Sequence, residues 1–224
     1  MDNQRFYFKK HLYSWLLIAI LSSMVAKGNE RNEGLSEIWQ ELYVYAVWDK
    51  QWTTTILYDR YRHVNYGYYG WFVQGNLKYR FNRVIALEML YRQEYYRLGK
   101  VWAAERRSAL RFGLSKQFGQ WTIRNRHRFE WRNFEYGPNQ FRYRADVKLK
   151  PEWAFSVLKV KPYFLEEAFI SQGNFNRLRS YLGIEGTFKR LQPCFYFLVQ
   201  TNTMTDKWNH QFIGGFSLGL DVGK

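Results

Sequence analysis

Residues 121–134 alternate strictly between two kinds of side chain. Arg124, Arg126, Arg128, Glu130 and Arg132 share one parity; Ile123, His127, Phe129 and Trp131 share the other. A strand sends successive side chains to opposite faces, so this segment has one charged face and one aromatic-apolar face. The pattern recurs along the chain. In 71–81, Gln74, Asn76, Lys78 and Arg80 alternate with Trp71, Val73, Leu77, Tyr79 and Phe81. In 83–97, Glu88, Arg92 and Glu94 oppose Ile85, Leu87, Met89 and Tyr91. In 102–114, Glu105, Arg107 and Arg111 oppose Leu110, Phe112 and Leu114. In 140–149, Arg142, Arg144, Asp146 and Lys148 oppose Phe141, Tyr143, Val147 and Leu149. In 175–188, Arg177, Arg179, Tyr181 and Glu185 oppose Leu178, Leu182, Ile184 and Phe188. In 208–221, Asn209, Gln211, Ser217 and Asp221 oppose Phe212, Phe216, Leu218 and Leu220. So many charged faces on one parity describe a barrel turned inside out, with lipid outside and a polar lumen within.

About eleven segments have the length of a tilted membrane strand: 36–48, 51–63, 68–81, 83–97, 102–117, 120–133, 140–150, 153–170, 175–189, 191–203 and 208–221. The fold predicted is all-β, an antiparallel transmembrane up-and-down barrel of 10–12 strands with an Arg/Glu-lined lumen. Tight connections are expected at Asp49-Lys50, Phe81-Asn82, Phe118-Gly119, Pro151-Glu152 and Lys189-Arg190. Longer ones are expected at His63 to Tyr68, Leu98 to Val101, Glu135 to Asn139, Ser171 to Asn174 and Met204 to Lys207. Bacterial barrels put short turns on the periplasmic rim, which assigns the tight set there. They also favour even strand numbers. Leaving out the first segment would let segments two to eleven close a ten-stranded barrel. Trp48, Trp52, Trp71, Trp102, Trp121, Trp153 and Trp208 lie near segment ends, where interfacial aromatic girdles sit.

Composition supplies an address. Aromatic residues make up 21% of the chain, while the mean hydropathy is −0.52, too low for a helical membrane protein. The N-terminus reads as a signal peptide over residues 1–28, with residues 29–224 as the barrel. Arg5, Lys9 and Lys10 precede an apolar run from Leu12 to Ala26, and cleavage falls after Ala26 or Gly28. The net charge of +15 comes from 34 basic and 19 acidic residues; cleavage after Gly28 leaves 30 and 18, or +12. Such a balance raises nucleic acid as a partner. Export and the placement of Arg at alternate strand positions argue against it. The single cysteine, Cys194, matches no metal or redox spacing and reads as a small packed residue.

The run Arg126-His127-Arg128-Phe129-Glu130-Trp131-Arg132, with Arg142-Tyr143-Arg144 in the next strand and Asn176-Arg177 before Gly183-Ile184, resembles the envelope family called domain of unknown function 2490. The resemblance covers most of the chain after residue 28. It implies a small outer-membrane β-barrel of Gram-negative, chiefly Bacteroidetes-like, bacteria, and with it the outer membrane as location. Lipid bilayer and assembly machinery are the partners it implies. It implies no activity.

The expected lumen lining sets Arg92, Arg107, Arg111, Arg124, Arg126, Arg128, Arg132, Arg142, Arg144, Arg177 and Arg179 against Glu88, Glu94, Glu105, Glu130, Asp146 and Glu185. Charges removed from water are normally paired, which predicts a bracing ladder. The Arg surplus instead suits a narrow passive pore or pocket that prefers a small anionic solute. The leading function is therefore a non-enzymatic, structural or porin-like, outer-membrane protein. A second reading is an outer-membrane lipid hydrolase or acyltransferase. Its residues would be Ser108, His127 and Asn125 on the outward face, with Ser108 diagonal to His127. A third is a soluble periplasmic barrel that binds an acidic ligand. No glycine-rich phosphate loop, metal-ligand spacing or acidic calcium loop occurs, so no cofactor or metal is implied.

Overall fold

A computed structural model describes residues 35–155, 159–204 and 207–223. The predicted signal peptide lies outside the described residues. Residues from Leu35 onward form one compact unit, and the regular elements among the described residues are all strands: β1 (Glu37–Val47), β2 (Trp52–His63), β3 (Gly67–Arg80), β4 (Ile85–Leu98), β5 (Val101–Phe118), β6 (Trp121–Phe134), β7 (Gln140–Pro151), β8 (Lys161–Ser171), β9 (Asn174–Glu185), β10 (Leu191–Met204) and β11 (Lys207–Asp221).

Each strand pairs with its sequence neighbours, and β1 closes the barrel against β11. Ten of these pairings are antiparallel. The closing pair is parallel, running from Glu37 opposite Ile213 to Tyr45 opposite Asp221. Geometry requires this, because in a meander with an odd strand count the first and last strands point the same way. The even-number argument for a ten-stranded barrel therefore fails. β1 is a full member, bonded to β2 along its length and to β11.

The two rims are named here by what they hold. The first rim carries the start of β1 and the connections 64–66, 99–100, 135–139, 172–173 and 205–206. The second carries the connections 48–51, 81–84, 119–120, 152–160 and 186–190, and the end of β11. The expected contrast in loop length is absent, and the longest connection stands on the rim expected to be tight. Pro151-Glu152 is no tight turn: β8 begins only at Lys161, and Phe155 bridges Val160 before it. Lys189-Arg190 is a tight turn as expected: Phe188 and Leu191 exchange amide-to-carbonyl hydrogen bonds at 2.8 Å across it, within a connection that begins at Gly186.

Local chemistry sets the turns. Gln172 and Gly173 take φ of 52° and 81°, the two left-handed residues that a two-residue hairpin needs to match strand twist. Asp49 Oδ1 accepts from the amides of Gln51 and Trp52, both at 2.7 Å. Those amides, Trp52 foremost, hold its carboxyl below the usual range. Asn82 accepts from Val84 and Ile85 in the same manner, at 2.8 Å.

The side-chain parity decides which face is inside. Glu130 is fully buried, while its neighbours Phe129 and Trp131 are 46% and 52% exposed. Leu87, Met89, Phe112, Phe129, Val147, Leu182 and Leu218 all stand on the outer face, alternating with inward charged or small residues. Exposed aromatics gather toward both rims. Tyr66, Trp102, Tyr136 and Trp208 are at the first; Trp48, Trp52, Phe81, Phe118 and Trp153 are at the second. Where large inward rings need room, the opposite position is glycine. A Cβ on Gly215 would sit 2.0 Å from Tyr196 Cζ, and one on Gly183 2.5 Å from Tyr163 Cζ.

Candidate functional site

The expected lining residues all point inward, and register explains which ones meet. Glu130 sits opposite Arg142, Asp146 opposite Arg126, and Glu88 opposite Arg111. The interior falls into two halves.

The half toward the first rim is packed. Arg132 forms a two-pronged pair with Glu105, Nε to Oε1 at 2.7 Å and Nη2 to Oε2 at 2.8 Å. Arg107 bridges Glu105 and Glu94, at 2.7 and 3.0 Å. Arg92 reaches Glu94 at 3.6 Å. Glu130 collects Arg142 at 2.6 Å, Arg144 at 3.1 Å and Arg128 at 3.3 Å. Arg144 donates on to Glu167, which also accepts from the Tyr181 hydroxyl at 3.5 Å and has Arg179 at 3.6 Å. Apolar groups fill what the ions leave. Arg142, Arg144, Arg177 and Arg179 stand over the Phe169 ring, with guanidinium carbons 4.5–5.5 Å from its centroid. Trp39, Leu198 and Ile213 form a buried cluster beside them. A bulge in β3 opposite Tyr61/Arg62 turns Tyr69 inward, where its hydroxyl donates to Glu37 at 2.5 Å.

The half toward the second rim holds a cavity of about 670 Å³. Trp39, Tyr61, Arg144 and Tyr181 line its inner end, and Thr53, Lys150, Thr187 and Gln192 line it near the second rim. The β3–β7 wall is basic, with Lys78, Arg111, Arg124, Arg126 and Lys148. Arg111 pairs with Glu88 at 2.7 Å, Arg126 with Asp146 at 2.9 Å, and Lys148 and Lys150 with Glu185. The β1–β2 and β10 wall is acidic and phenolic: Glu41 accepts from Tyr43 at 2.5 Å and Tyr196 at 2.6 Å, and Asp59 lies near them.

Several lining residues escaped the sequence pattern. Glu37, Glu41 and Asp59 share parity with inward-pointing tyrosines on strands whose faces were not assigned. Glu166-Glu167 puts two acids on consecutive positions, so alternation alone cannot say which is inside. The structure turns Glu167 inward, while Glu166 accepts from Ser180 at 2.9 Å on the outer face.

The outward triad does not assemble. Ser108 pairs with Trp131, whereas His127 pairs with Phe112. Four register positions separate them, about 13 Å along the sheet, not the diagonal contact expected. His127 Nδ1 instead meets the Tyr143 hydroxyl. The Asn125 side-chain oxygen has no hydrogen-bond partner. No cluster of three or more His, Cys, Asp or Glu suited to a metal occurs among the described residues.

No curated protein matches the chain. Among solved structures it is similar to the crystal structure of the β-domain of the Bordetella autotransporter Brka. The two are 11% identical with a TM-score of 0.51 over 72% of this chain and 78% of that one. At that identity the likeness concerns the barrel fold alone. A family model described as "Protein of unknown function (DUF2490)" matches residues 36–211, more than half the chain. The barrel of alternating Arg/Glu strands thus belongs to the DUF2490 family.

Proposed function

We propose that this protein is a non-enzymatic barrel of the bacterial outer membrane, exported by its N-terminal signal peptide and inserted by the outer-membrane assembly machinery. The carrying observation is the inverted barrel: buried Arg–carboxylate pairs inside, and a continuous outer face of exposed Leu, Met, Val and Phe between two aromatic belts. In water that outer face would be an apolar patch far beyond what a soluble monomer exposes. In a bilayer it is the expected lipid surface. This also argues against the soluble periplasmic barrel. The hydrolase reading has no support from the register of Ser108 and His127.

Between bracing and conduction, the packed half favours bracing. The ion pairs and the Trp39–Leu198–Ile213 cluster occupy the interior toward the first rim, which supports reading the lumen as a one-ended cup. The pore reading keeps one supporting observation, the surplus of inward Arg, which would give any conductance an anion preference.

The test is location and form. Expressed with its leader, the protein should fractionate with the outer membrane and run faster on gels unheated than boiled. Recovery in the soluble periplasmic fraction as a folded monomer would overturn the membrane reading.

A further inference from the structure

We propose that the basic wall of the cavity is a binding site for a phosphate-class oxyanion carrying at least two negative charges. Lys78, Arg111, Arg124 and Arg126 hold it. This rests on the closed barrel and not on its membrane address.

Most inward charges are paired, and Arg177, which has no carboxylate within 4 Å among the described residues, donates to the Asn202 amide oxygen at 2.7 Å; on this wall two cations have neither kind of partner. Among the described residues, neither Lys78 nor Arg124 has a carboxylate within 4 Å, and neither donates a hydrogen bond. The Nε–H groups of Arg111 and Arg124 are shielded from solvent and lack any acceptor. Both residues line the same cavity. A cation withdrawn from bulk water without a counterion is costly, so Arg124, with half-buried Lys78 near it, marks the place of a missing anion. The acids nearby are already committed: Glu88 to Arg111, Asp146 to Arg126, and Glu185 to Lys148 and Lys150. Asp59 Oδ1, the orphan acceptor in this cavity, stands on β2, away from the β5–β6 strands that carry the orphan donors.

The register spreads the donors around a gap. Lys78 faces Glu88 across β3 and β4, Glu88 faces Arg111 across β4 and β5, and Arg124 faces Ser115 across β5 and β6. Between Arg111 and Ser115 stands Gly113, opposite Arg126 and without a side chain. Guanidinium groups present planar pairs of donors that match the edges of a phosphate, and Lys adds a point charge. Two unpaired cations set the ligand's charge at two or more. The second rim adds exposed Lys50, Arg83, Lys116 and Lys189, which draw anions toward the mouth.

The experiment uses the full chain refolded in neutral detergent, titrated calorimetrically with pyrophosphate and inorganic phosphate, and separately with short-chain phosphatidate. Pyrophosphate should bind, raise the unfolding temperature and weaken as salt rises. Arg124→Gln and Lys78→Gln should each weaken binding at least tenfold. Both should leave the heat-dependent gel shift intact and raise the unfolding temperature of the empty protein, because an unpaired charge is removed. Arg124→Lys should recover most of the binding, and Lys100→Gln, exposed on the first rim, should leave it unchanged. Binding of phosphatidate without pyrophosphate would assign the same site to a lipid headgroup. The proposal is overturned if none of the three ligands binds, or if Arg124→Gln binds as the parent does. It is also overturned if Arg124→Gln lowers the unfolding temperature, which would make Arg124 a structural residue. None of these outcomes depends on fractionation, so failure of the membrane reading would show separately.

Discussion

Glu130 carries more of the interior than any other side chain in the network. It is fully buried and accepts from Arg142, Arg144 and Arg128. Glu130→Gln keeps the shape and removes the charge, leaving three guanidinium groups around a neutral amide. Breaking a buried pair from one side costs about 3–5 kcal/mol. The expected result is a lower urea midpoint with an unchanged slope and loss of the heat-resistant band; an unaltered midpoint would count against bracing. Gly215 offers an opposite case, where size matters and charge does not. Gly215→Ala drives Tyr196 off Glu41, and overpacking of this kind costs about 1–3 kcal/mol. Adding Tyr196→Leu should restore much of that loss in the same unfolding assay. At this scale the sequence was legible wherever charge and apolarity alternated, as along β6. It was not legible at Glu166-Glu167, where two like residues occupy both faces, nor at Gly215, whose role is defined by a ring on another strand.

Strands were readable for a related reason. A residue period of two needs only neighbours in sequence, and most segment ends fall within a few positions of the observed ones. The exception shows the limit. Residues 153–157 place Trp153, Phe155 and Val157 in strand-like alternation, yet β8 starts only at Lys161. The partner decides: β7 pairs β8 from Arg142 opposite Ser171 to Leu149 opposite Phe164, and the pairing of β8 with β9 begins only at Lys161 opposite Glu185. The β1–β11 seam was invisible for the same reason, since it joins residues about as distant in sequence as the barrel allows. Its register makes a direct prediction. In a Cys194→Ser background, Leu42→Cys with Leu218→Cys should form a disulfide across the seam, because these positions are partners. A ten-stranded barrel would place β11 beside β2. In that case Leu42→Cys and Leu218→Cys would both remain free thiols.

Closure turns these local choices into a vessel with one end filled. An odd strand count sends β1 and β11 in the same direction, so the chain enters at one rim and leaves at the other. The filled half lies toward the entry rim and the cavity toward the exit rim. No count of Arg and Glu could have shown this. Whether eleven strands enclose a channel or a cup depends on which long side chains cross the lumen, and on whether Trp39, Leu198 and Ile213 meet at its middle. The consequence is electrical. In planar bilayers the unmodified protein should carry no steady current, because ions entering from the cavity meet the apolar cluster and the Glu130 and Glu105 networks behind it. Trp39→Ala with Leu198→Ala removes two of the three buried members of that cluster and should open a measurable conductance. That current should favour anions, since inward Arg outnumber inward acids, and adding Arg128→Gln with Arg144→Gln should reduce the preference. Steady current through the unmodified barrel would show that the filled half does not seal. A cation-selective current through the opened variant would show that the paired arginines leave no positive field along the path.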